Sequence, residues 1–524
     1  MQVRTTVMAR NGMVVCSQPL ASQVGVQVLA RGGNAVDAAV ATAAALGVLE
    51  PMSIGIGGDA FALVYSAKSN RISALDASGR SPYAATPDVY SQLGIQTMPQ
   101  KGIHSVTVPG AVHGWGTLLD KYGTISLGEL LQPAIELAEE GFPVIEHTGR
   151  EWQKLEGKLG ATMEASEQYL IHGKAPAAGS VFRQTNLAKT LGRIAKEGPK
   201  AFYQGGIAEK IVRCSQKYGG LFSLRDLSEC SSEWVEPITA RYRGYDVYEL
   251  PPSTQGFVAL EMLKILEESD LSSLGHNTPD YLHLLVEAKK LAFVDRHLHL
   301  ADRDTMRVRI EDLIDHRRIK SLKGMIHPDR ASEVVKTLPV EGDTEYVAAA
   351  DREGNCVSFI QSLFTGFGSG IVAEDTGIVL QNRGHLFSLD TNHPNCIGPH
   401  KRCVHTLMPG MVLKDGRPFL VLGLKGGHVQ PQVQVQMIAN VIDFGMTVQE
   451  AINAARFNHL SGLEVALEPE VSEEASRGLE GKGHRVVSAP EESFGGAHAI
   501  LLNLESGVLM GGSDPRKGGC AIGF

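Results

Sequence analysis

The sequence predicts an α+β protein built in layers, with β-sheets inside and helices outside. Helical periodicity dominates residues 110–312, where a strand pair at 239–243 and 245–250 is the main interruption. Strand-like segments and tight turns dominate after Thr344. Strands that flank helical segments favour packed layers, and the lack of a repeat of roughly 20–50 residues argues against a solenoid or a propeller.

Capping residues and turns indicate the N-terminal elements. Ser22 can cap a helix that ends at a Gly-Gly pair, and Asn34 can cap a second helix that runs to Leu49. Residues 61–65 and 72–75 are typical of a strand pair around a polar turn. The chain is therefore predicted to begin with two helices and a hairpin.

The middle of the chain carries the clearest helices. Their periodicity is strongest over 127–140, 258–268 and 281–301. Residues 329–343 are polar, mixed in charge and without a period, so we expect an exposed linker there. This linker separates the helical part from the strands that follow it.

The C-terminal part is predicted to contain three hairpins and two helices. Short polar turns mark the tips of the hairpins. The hairpins pair 346–350 with 356–361, 411–413 with 419–422 and 499–502 with 508–511, and the helices are 433–444 and 448–457.

Size, charge and hydropathy exclude several classes of protein. At 524 residues the chain exceeds the usual limit for one core, so one very large unit or two interlocked units are expected. Its net charge of −9 and the lack of a long run of like charges predict no nucleic acid partner and no membrane partner. Residues 35–49 are too few to span a bilayer, and residues 1–17 lack the apolar core of a signal peptide, so a cytoplasmic location is expected.

The sequence predicts no metal and no organic cofactor. Its seven cysteines are scattered without a C-x-x-C pair, which argues against a disulfide framework and a structural zinc site. The spacing of His297, His299 and Asp302 fits no usual metal pattern. The glycines of 55–58 lack the preceding strand and the distal acid of a dinucleotide-binding fingerprint.

Thr344 opens the first of the C-terminal hairpins. A threonine before a strand is ordinarily a cap or turn residue. If the preceding peptide bond is cut, however, the hydroxyl becomes a nucleophile and the freed α-amine its general base, within one residue. The local segment does not establish that cut, and other motifs must support it.

Five segments together point to one family. They are the glycine-rich loop 53–61, residues 76–82, the Thr344 hairpin with 367–371, residues 425–427 and residues 512–516. In this order and at these distances they resemble the γ-glutamyltranspeptidase family of N-terminal-nucleophile hydrolases, from about Gly12 to Arg516. The resemblance implies a four-layer αββα sandwich, made as a precursor that cuts itself.

The resemblance also implies how the precursor is divided. Cleavage between Asp343 and Thr344 would leave a large subunit of residues 1–343 and a small subunit of residues 344–524, interlocked as one catalytic unit. Thr344 would then lead the small subunit as its nucleophile, and its branched Cβ would help to orient the hydroxyl.

Three further residues take catalytic roles by the same resemblance. Ser362 falls where the family has a hydroxyl residue that supports the nucleophile, although it could be a solvent-facing strand residue. Gly426 and Gly427 match paired glycines whose N–H groups face the developing oxyanion, and glycine allows close approach of the substrate. They could also form a tight turn before a helix, and the two interpretations are compatible.

Arg80 matches the arginine that holds the free carboxylate of the substrate in this family. A guanidinium fork is suited to bidentate binding of a carboxylate. Without the resemblance, Arg80 would be interpreted as a surface arginine in the turn before Pro82.

Departures from the family motifs concern the substrate. Leu386 stands where γ-glutamyl enzymes carry an acidic residue that takes the α-ammonium, and Arg383 replaces a neutral amide residue. Phe364 replaces an asparagine, and His405 with Thr406 replaces paired serines. Burying an ammonium group against leucine would cost on the order of several kcal/mol of free energy. The pocket is therefore predicted to suit an acyl group that ends in a carboxylate and lacks an α-amine.

These features favour a γ-glutamyltransferase-like, self-processing amidohydrolase. Its partners would be a small-molecule amide with a free carboxylate and its own cleaved subunit, and a homodimer of processed units stays open. The acyl-enzyme would be released by water or by an amino acid. Oxamate amidohydrolases and cephalosporin (glutaryl) acylases are the alternatives within the family. An uncut, non-catalytic binding homologue is the alternative of another class.

Overall fold

The computed structural model describes residues 4–333 and 342–524. Its strands form two antiparallel seven-stranded sheets, a three-stranded sheet and a two-stranded pair. The strands are β1 (Val7–Ala9), β2 (Gly12–Cys16), β3 (Asp59–Ser66), β4 (Arg71–Ala77), β5 (Phe142–Pro143), β6 (Val181–Phe182), β7 (Glu233–Val235), β8 (Ile238–Tyr242), β9 (Tyr245–Glu249), β10 (Asp343–Asp351), β11 (Cys356–Phe364), β12 (Gly410–Lys414), β13 (Arg417–Lys425), β14 (Phe457–His459), β15 (Glu464–Leu467), β16 (Arg485–Val487), β17 (Gly496–Leu502), β18 (Leu509–Ser513) and β19 (Cys520–Gly523).

Helices surround these sheets. The α-helices are α1 (Pro19–Ala30), α2 (Ala35–Leu49), α3 (Pro87–Gln92), α4 (Ala111–Tyr122), α5 (Leu127–Glu140), α6 (Glu146–Lys154), α7 (Glu156–Leu159), α8 (Met163–Tyr169), α9 (Thr185–Glu197), α10 (Lys200–Tyr203), α11 (Gly206–Lys217), α12 (Leu224–Ser228), α13 (Gly256–Leu266), α14 (Leu271–Leu274), α15 (Pro279–His299), α16 (Ile310–Leu313), α17 (His316–Lys323), α18 (Gln430–Ile442), α19 (Val448–Asn453) and α20 (Glu473–Gly481). Short 3₁₀ turns cover Ile103–Ser105, Arg303–Thr305, Glu374–Thr376, Arg383–Leu386, Gly427–Val429, Glu491–Phe494 and Pro515–Lys517.

The two large sheets pack face to face and helices cover both outer faces. One sheet has the strand order β1-β18-β17-β13-β12-β9-β8 and the other has the order β19-β2-β10-β11-β3-β4-β7. Phe61 and Ile360 of the second sheet share an inner core with Val421 and Ile500 of the first. Two further cores lie under the outer helices. This arrangement confirms the predicted four-layer αββα sandwich.

Strand β10 shows why the central strands are apolar along their whole length. Tyr346, Ala348 and Ala350 face the core between the sheets. Val347 and Ala349 alternate with them and face the core under the helices. Successive side chains of a strand point to opposite faces, so a strand covered on both faces needs apolar residues at every position.

The predicted helix starts are partly correct. Asn34 caps α2 as predicted, in a capping box with Asp37. The prediction that Ser22 caps the first helix is wrong, because α1 begins at Pro19 and the side chain of Gln18 accepts the first N–H groups. A proline at the first helical position has no N–H to satisfy, which favours the earlier start.

Other boundaries shift by a few residues. Helix α5 has the predicted bounds, whereas α13 and α15 each begin and end two residues before the predicted ranges. The last predicted helix, 448–457, ends at Asn453, because Phe457 begins strand β14. Residues 334–341 of the predicted linker lie outside the described residues. At its N-terminal end the linker prediction agrees with the structure, because residues 329–333 lie outside the helices and strands and Asp329, Arg330 and Glu333 are exposed. At its C-terminal end the prediction is wrong, because β10 already begins at Asp343. Among the helices described, none is both long and apolar enough to cross a membrane.

Candidate active site

The predicted scissile bond, Asp343–Thr344, lies at the start of β10 in the middle of a sheet. The pairing of β10 with β11 shifts register between Asp343 and Glu345. Opposite this irregularity Phe364 has φ +82°, in the left-handed region that aromatic residues rarely adopt. Bulges re-aim side chains and are common next to active sites. Here the irregularity frames the predicted nucleophile.

The hydroxyl groups of Thr344 and Ser362 meet in a buried position. Thr344 Oγ1 donates a hydrogen bond to Ser362 Oγ at 3.3 Å. Ser362 Oγ in turn donates to the carbonyl oxygen of Asp343 at 2.6 Å. Ser362 is fully buried, so the alternative of a solvent-facing strand residue is wrong. Ser362 thus donates to the carbonyl group of the predicted scissile bond, a contact that polarises it, and the same hydroxyl accepts from Thr344.

Two further donors converge on Ser362. The backbone N–H of Phe364 donates to Ser362 Oγ at 2.7 Å, and Arg383 Nη2 donates to it at 3.3 Å. Groups that donate to a hydroxyl oxygen make its own O–H a stronger donor. The bond from Ser362 to the Asp343 carbonyl is therefore strengthened by a nearby cation.

Arg383 is fully buried and lacks a carboxylate partner among the described residues. Its Nη1 donates to Thr406 Oγ1 at 3.1 Å, and its guanidinium carbon lies 4.3 Å from the centre of the Phe364 ring. Burial lowers the pKa of Arg383 to about 10, although Asp59 partly opposes the shift. A buried cation without a direct counter-ion is costly, which makes this position suited to an anionic ligand.

His405 lies in the interior beside Asp59. Its Nε2 is 3.6 Å from Asp59 Oδ2, and burial lowers the pKa of His405 well below its ordinary value. Burial raises the pKa of Asp59 to about 7, while N–H donors from Gly79, Gly110 and Gln381 oppose the shift. His405 is therefore a neutral, buried residue close to Arg383.

Arg80 already has protein partners. Its Nη2 lies 2.9 Å from Glu233 Oε1, and its Nη1 lies 3.6 Å from Asp302 Oδ2. Nη1 also donates to the carbonyl oxygen of His400 at 3.2 Å. The side chain is largely buried, so Arg80 is not the freely exposed turn residue of the alternative interpretation. A substrate carboxylate would have to compete with Glu233 for this guanidinium, and the role of Arg80 stays a prediction.

The paired glycines follow β13 directly. Gly426 has φ +135° and Gly427 has φ +64°, both unfavourable for other residues. A Cβ atom on Gly426 would lie 2.6 Å from Val429 Cγ1. One on Gly342 would lie 2.8 Å from Gly427 Cα, so the turn touches the residue that precedes Asp343. Among the described residues no acceptor is seen for the N–H groups of Gly426 and Gly427.

A buried charged network lies beside the predicted scissile bond, and the sequence interpretation missed it. Lys425 Nζ is 2.8 Å from Glu345 Oε1 and 3.3 Å from Asp343 Oδ1. Although burial opposes it, Lys425 lowers the pKa of Glu345 to about 2. Burial and the neighbouring Glu345 raise the pKa of Glu50 well above its ordinary value. The sequence signal that could have revealed this network is Glu345, a glutamate next to Thr344 in an otherwise apolar strand.

A cavity of about 780 Å³ opens beside Asp343 and Gly426. The described residues that line it include three acids, Glu151, Asp343 and Glu492. Its lysines outnumber the acids, and they are Lys101, Lys154, Lys158, Lys289, Lys425 and Lys517. A wall with this excess of cations favours an anionic ligand.

The predicted substrate-binding residues do not line this cavity. Arg383 and Thr406 contact each other behind Ser362, and His405 is buried near Asp59. Leu386 ends the 3₁₀ turn that Arg383 begins and packs, partly buried, against the core under the outer helices. The structure therefore joins Arg383 and Thr406 to the Thr344 and Ser362 pair but separates them from the cavity wall.

One histidine cluster resembles a cation site. Ligand atoms of His283, Glu287 and His484 lie within 4.8 Å of one another. However, Lys290 Nζ lies 2.7 Å from Glu287 Oε1, and His283 Nδ1 lies 2.8 Å from His484 Nε2. An ammonium group on the same carboxylate opposes a metal cation, and hydrogen bonding accounts for the cluster. The spacing in the sequence does not reveal it.

Comparison with known proteins identifies relatives along almost the whole chain. Residues 21–524 match the family model described as Gamma-glutamyltranspeptidase. The "Glutathione hydrolase-like YwrD proenzyme" of Bacillus subtilis (strain 168) is 41% identical over 529 residues, covering 99% of each chain. The "Glutathione hydrolase proenzyme" of Escherichia coli (strain K12) is 36% identical over 533 residues, covering 98% of this chain and 91% of the relative.

A solved structure is similarly close. The crystal structure of cephalosporin acylase from Bacillus halodurans superposes with a TM-score of 0.96 and 40% sequence identity. The match covers 100% of this chain and 98% of the acylase chain. The relatives thus combine one fold with more than one named activity.

Proposed function

Since the chain belongs to the γ-glutamyltranspeptidase family of N-terminal-nucleophile amidohydrolases, we propose that it is a self-processing amidase with Thr344 as its nucleophile. The observation that carries this proposal is the bond from Ser362 Oγ to the Asp343 carbonyl oxygen, with Thr344 Oγ1 on the same serine. The names of both curated relatives include the word proenzyme, which agrees with a precursor that is cut.

The proposed self-cleavage is an acyl shift within the chain. Thr344 Oγ attacks the carbonyl carbon of Asp343, and the C–N bond to Thr344 breaks as its nitrogen takes up a proton. Water then hydrolyses the ester between the two residues. The products are residues 1–343, which end in a carboxylate, and residues 344–524, which begin with a free α-amine.

The mature enzyme would repeat this chemistry on a substrate amide. The α-amine of Thr344 accepts the proton of the Thr344 hydroxyl as the oxygen attacks the carbonyl carbon. The N–H groups of Gly426 and Gly427 face the oxyanion, and the leaving amine takes the proton. Water, or the amine of an amino acid, then releases the acyl group from the ester.

The acyl donor that fits best carries a carboxylate and no α-amine. Arg383 supplies a buried cation 3.3 Å from Ser362 Oγ, and it lacks a carboxylate partner among the residues described. Leu386 offers no charge to an ammonium group. An α-ammonium brought to this site would meet a guanidinium instead of an acid, which disfavours it. We therefore propose a glutaryl-type acyl group over a γ-glutamyl group.

A comparison of acyl donors tests this assignment. Glutaryl and γ-glutamyl p-nitroanilides differ only in the α-amine, and oxamate provides a third donor without one. We expect kcat/KM for the glutaryl compound to exceed that for the γ-glutamyl compound at least ~10-fold. The opposite preference would refute the assignment of the donor and would leave the proposed nucleophile standing.

A further inference from the structure

Lys289 of α15 is buried on the wall of the cavity beside the scissile bond. Lysines are almost never fully buried unless a carboxylate pairs with them. Among the described residues, no carboxylate lies within 4.0 Å of Lys289 Nζ. Burial, with Arg296 and Lys290 nearby, lowers the pKa of Lys289 well below its ordinary value.

His459 holds the amine of Lys289 in a defined direction. His459 Nε2 lies 2.9 Å from the carbonyl oxygen of Gly462, so this ring nitrogen carries the proton and Nδ1 is the acceptor. Lys289 Nζ lies 2.7 Å from His459 Nδ1 and 3.0 Å from His459 O. An ammonium group has three donors, and His459 receives two of them. The Phe293 ring centre lies 4.0 Å from Lys289 Nζ, and no oxygen or nitrogen acceptor for the third donor is seen among the described residues.

Two other lysines of the same wall differ from Lys289. Lys154 Nζ lies 2.9 Å from Glu151 Oε1 and also pairs with Glu492. Lys425 pairs with Glu345 and Asp343. Their charges are already balanced by the protein. Lys289 lacks such a balance, and an anion in the cavity would supply it.

Helix α18 connects Lys289 to the paired glycines. The N–H of His459 donates to Gln432 Oε1 at 2.9 Å, and Gln432 follows Gly427 by five positions. Gly426, Gln432, His459 and Lys289 all line the same cavity. A leaving amine bound in this cavity beside Gly426 therefore shares it with Lys289.

We propose that Lys289, oriented by His459, forms a subsite for a carboxylate on the leaving amine. The inference rests on the proposed function: if Arg383 and Thr406 hold the acyl group away from the cavity, the leaving amine occupies the cavity. The preferred substrates would then carry a carboxylate on the leaving amine as well as on the acyl group.

Two matched substrates test the subsite. They are glutaryl-Ala-Gly with a free C-terminal carboxylate and the same compound with a C-terminal carboxamide. We expect the wild-type enzyme to prefer the carboxylate form by at least ~10-fold in kcat/KM. Lys289→Met should lower kcat/KM for the carboxylate form ~10- to 100-fold and change the carboxamide form by less than ~3-fold. Lys289→Arg should restore most of the loss.

Lys154→Met is the matched control, since it removes a lysine of the same wall that Glu151 and Glu492 already neutralise. It should leave both substrates within ~3-fold of wild type. Equal turnover of the two substrates by the wild type, or an equal loss of both in Lys289→Met, would overturn the subsite.

Two readouts distinguish a failure of the Lys289 subsite from a failure of the proposed function. Self-cleavage and hydrolysis of glutaryl p-nitroanilide, which has no carboxylate on its leaving group, report whether Lys289→Met folds and works. If this variant does not mature, inhibition of the wild type by free Ala-Gly and by Ala-Gly amide decides instead. We expect Ala-Gly to inhibit at least ~10-fold more strongly, and equal inhibition would overturn the subsite. A wild-type protein without any amidase activity would instead contradict the proposed function.

Discussion

The hydroxyl group of Ser362 lies 2.6 Å from the carbonyl oxygen of Asp343 and accepts a hydrogen bond from Thr344 Oγ1 at 3.3 Å. One buried serine thus contacts both reacting partners of the proposed self-cleavage, the carbonyl group and the nucleophile. Continuing the register of the Glu345–Gln361 pair by one residue places Thr344 opposite Ser362, on the same face of the sheet. The register shifts only at Asp343, which pairs with Phe364, so the Asp343 carbonyl lies at the irregularity beside these two hydroxyl groups.

Removal of the Ser362 hydroxyl should slow maturation. In Ser362→Ala the Asp343 carbonyl loses its donor, and we expect cleavage to slow ~100-fold or more, as for the loss of one oxyanion donor. Ser358→Ala is the control, since Ser358 lies on the same strand and its hydroxyl is 2.8 Å from Tyr346 OH. Denaturing gels over time measure the cut fraction. Cleavage of Ser362→Ala at the wild-type rate would remove Ser362 from the mechanism.

The preference for the acyl donor should follow two residues. Arg383→Gln combined with Leu386→Asp restores a neutral amide and an acid at the positions where the family motifs carry them. We expect the glutaryl to γ-glutamyl ratio of kcat/KM to fall at least ~10-fold, because the buried cation is lost and an anion is gained. Lys101→Gln, an exposed cation on the cavity wall, is the control. An unchanged ratio would show that other residues select the donor.

The ion pairs around Arg80 should make stability depend on pH. Although burial opposes it, Arg402, Arg303 and Arg80 lower the pKa of Glu233 to about 2. A lowered carboxyl pKa stabilises the folded state above the ordinary glutamate value of ~4.3, and this contribution is lost as the pH falls towards 2.

Glu233→Gln measures that contribution. We expect the variant to be less stable than the wild type by up to ~2 kcal/mol at pH 6, and the difference to shrink as the pH falls towards 2.5. Thermal unfolding at several pH values provides the measurement. Glu139→Gln, on the exposed face of α5, should match the wild type throughout. A difference for Glu233→Gln that stays constant with pH would contradict the assigned pKa shift.

Local sequence signals predicted much of the fold. The hairpin after Thr344, the cap at Asn34 and the bounds of α5 depend on alternation, capping and periodicity, which neighbouring residues determine. The helix start at Pro19 was missed because Ser22 is also a good cap residue, and it is buried inside α1 instead. When two possible cap residues lie a few positions apart, tertiary packing decides which of them begins the helix.

The parts of the site that belong to a sequence motif could be predicted residue by residue. The contacts between residues that lie far apart in the chain could not be predicted. Thr344 and Ser362 lie on the two paired strands of one hairpin, and this pairing brings their side chains together. The contacts of Arg80 with Glu233, and of Lys425 with Glu345, join residues far apart in the chain. Because a buried charge is located by its partner, no single segment of the sequence could reveal these pairs.

Intact-mass measurement with N-terminal sequencing tests the central claim most directly. The wild-type protein should separate under denaturing conditions into residues 1–343 and a smaller chain that begins with Thr344. Thr344→Ala should remain one chain of 524 residues without amidase activity. A fully active wild-type protein that consists of one uncut chain, or an active and cleaved Thr344→Ala variant, would contradict the account.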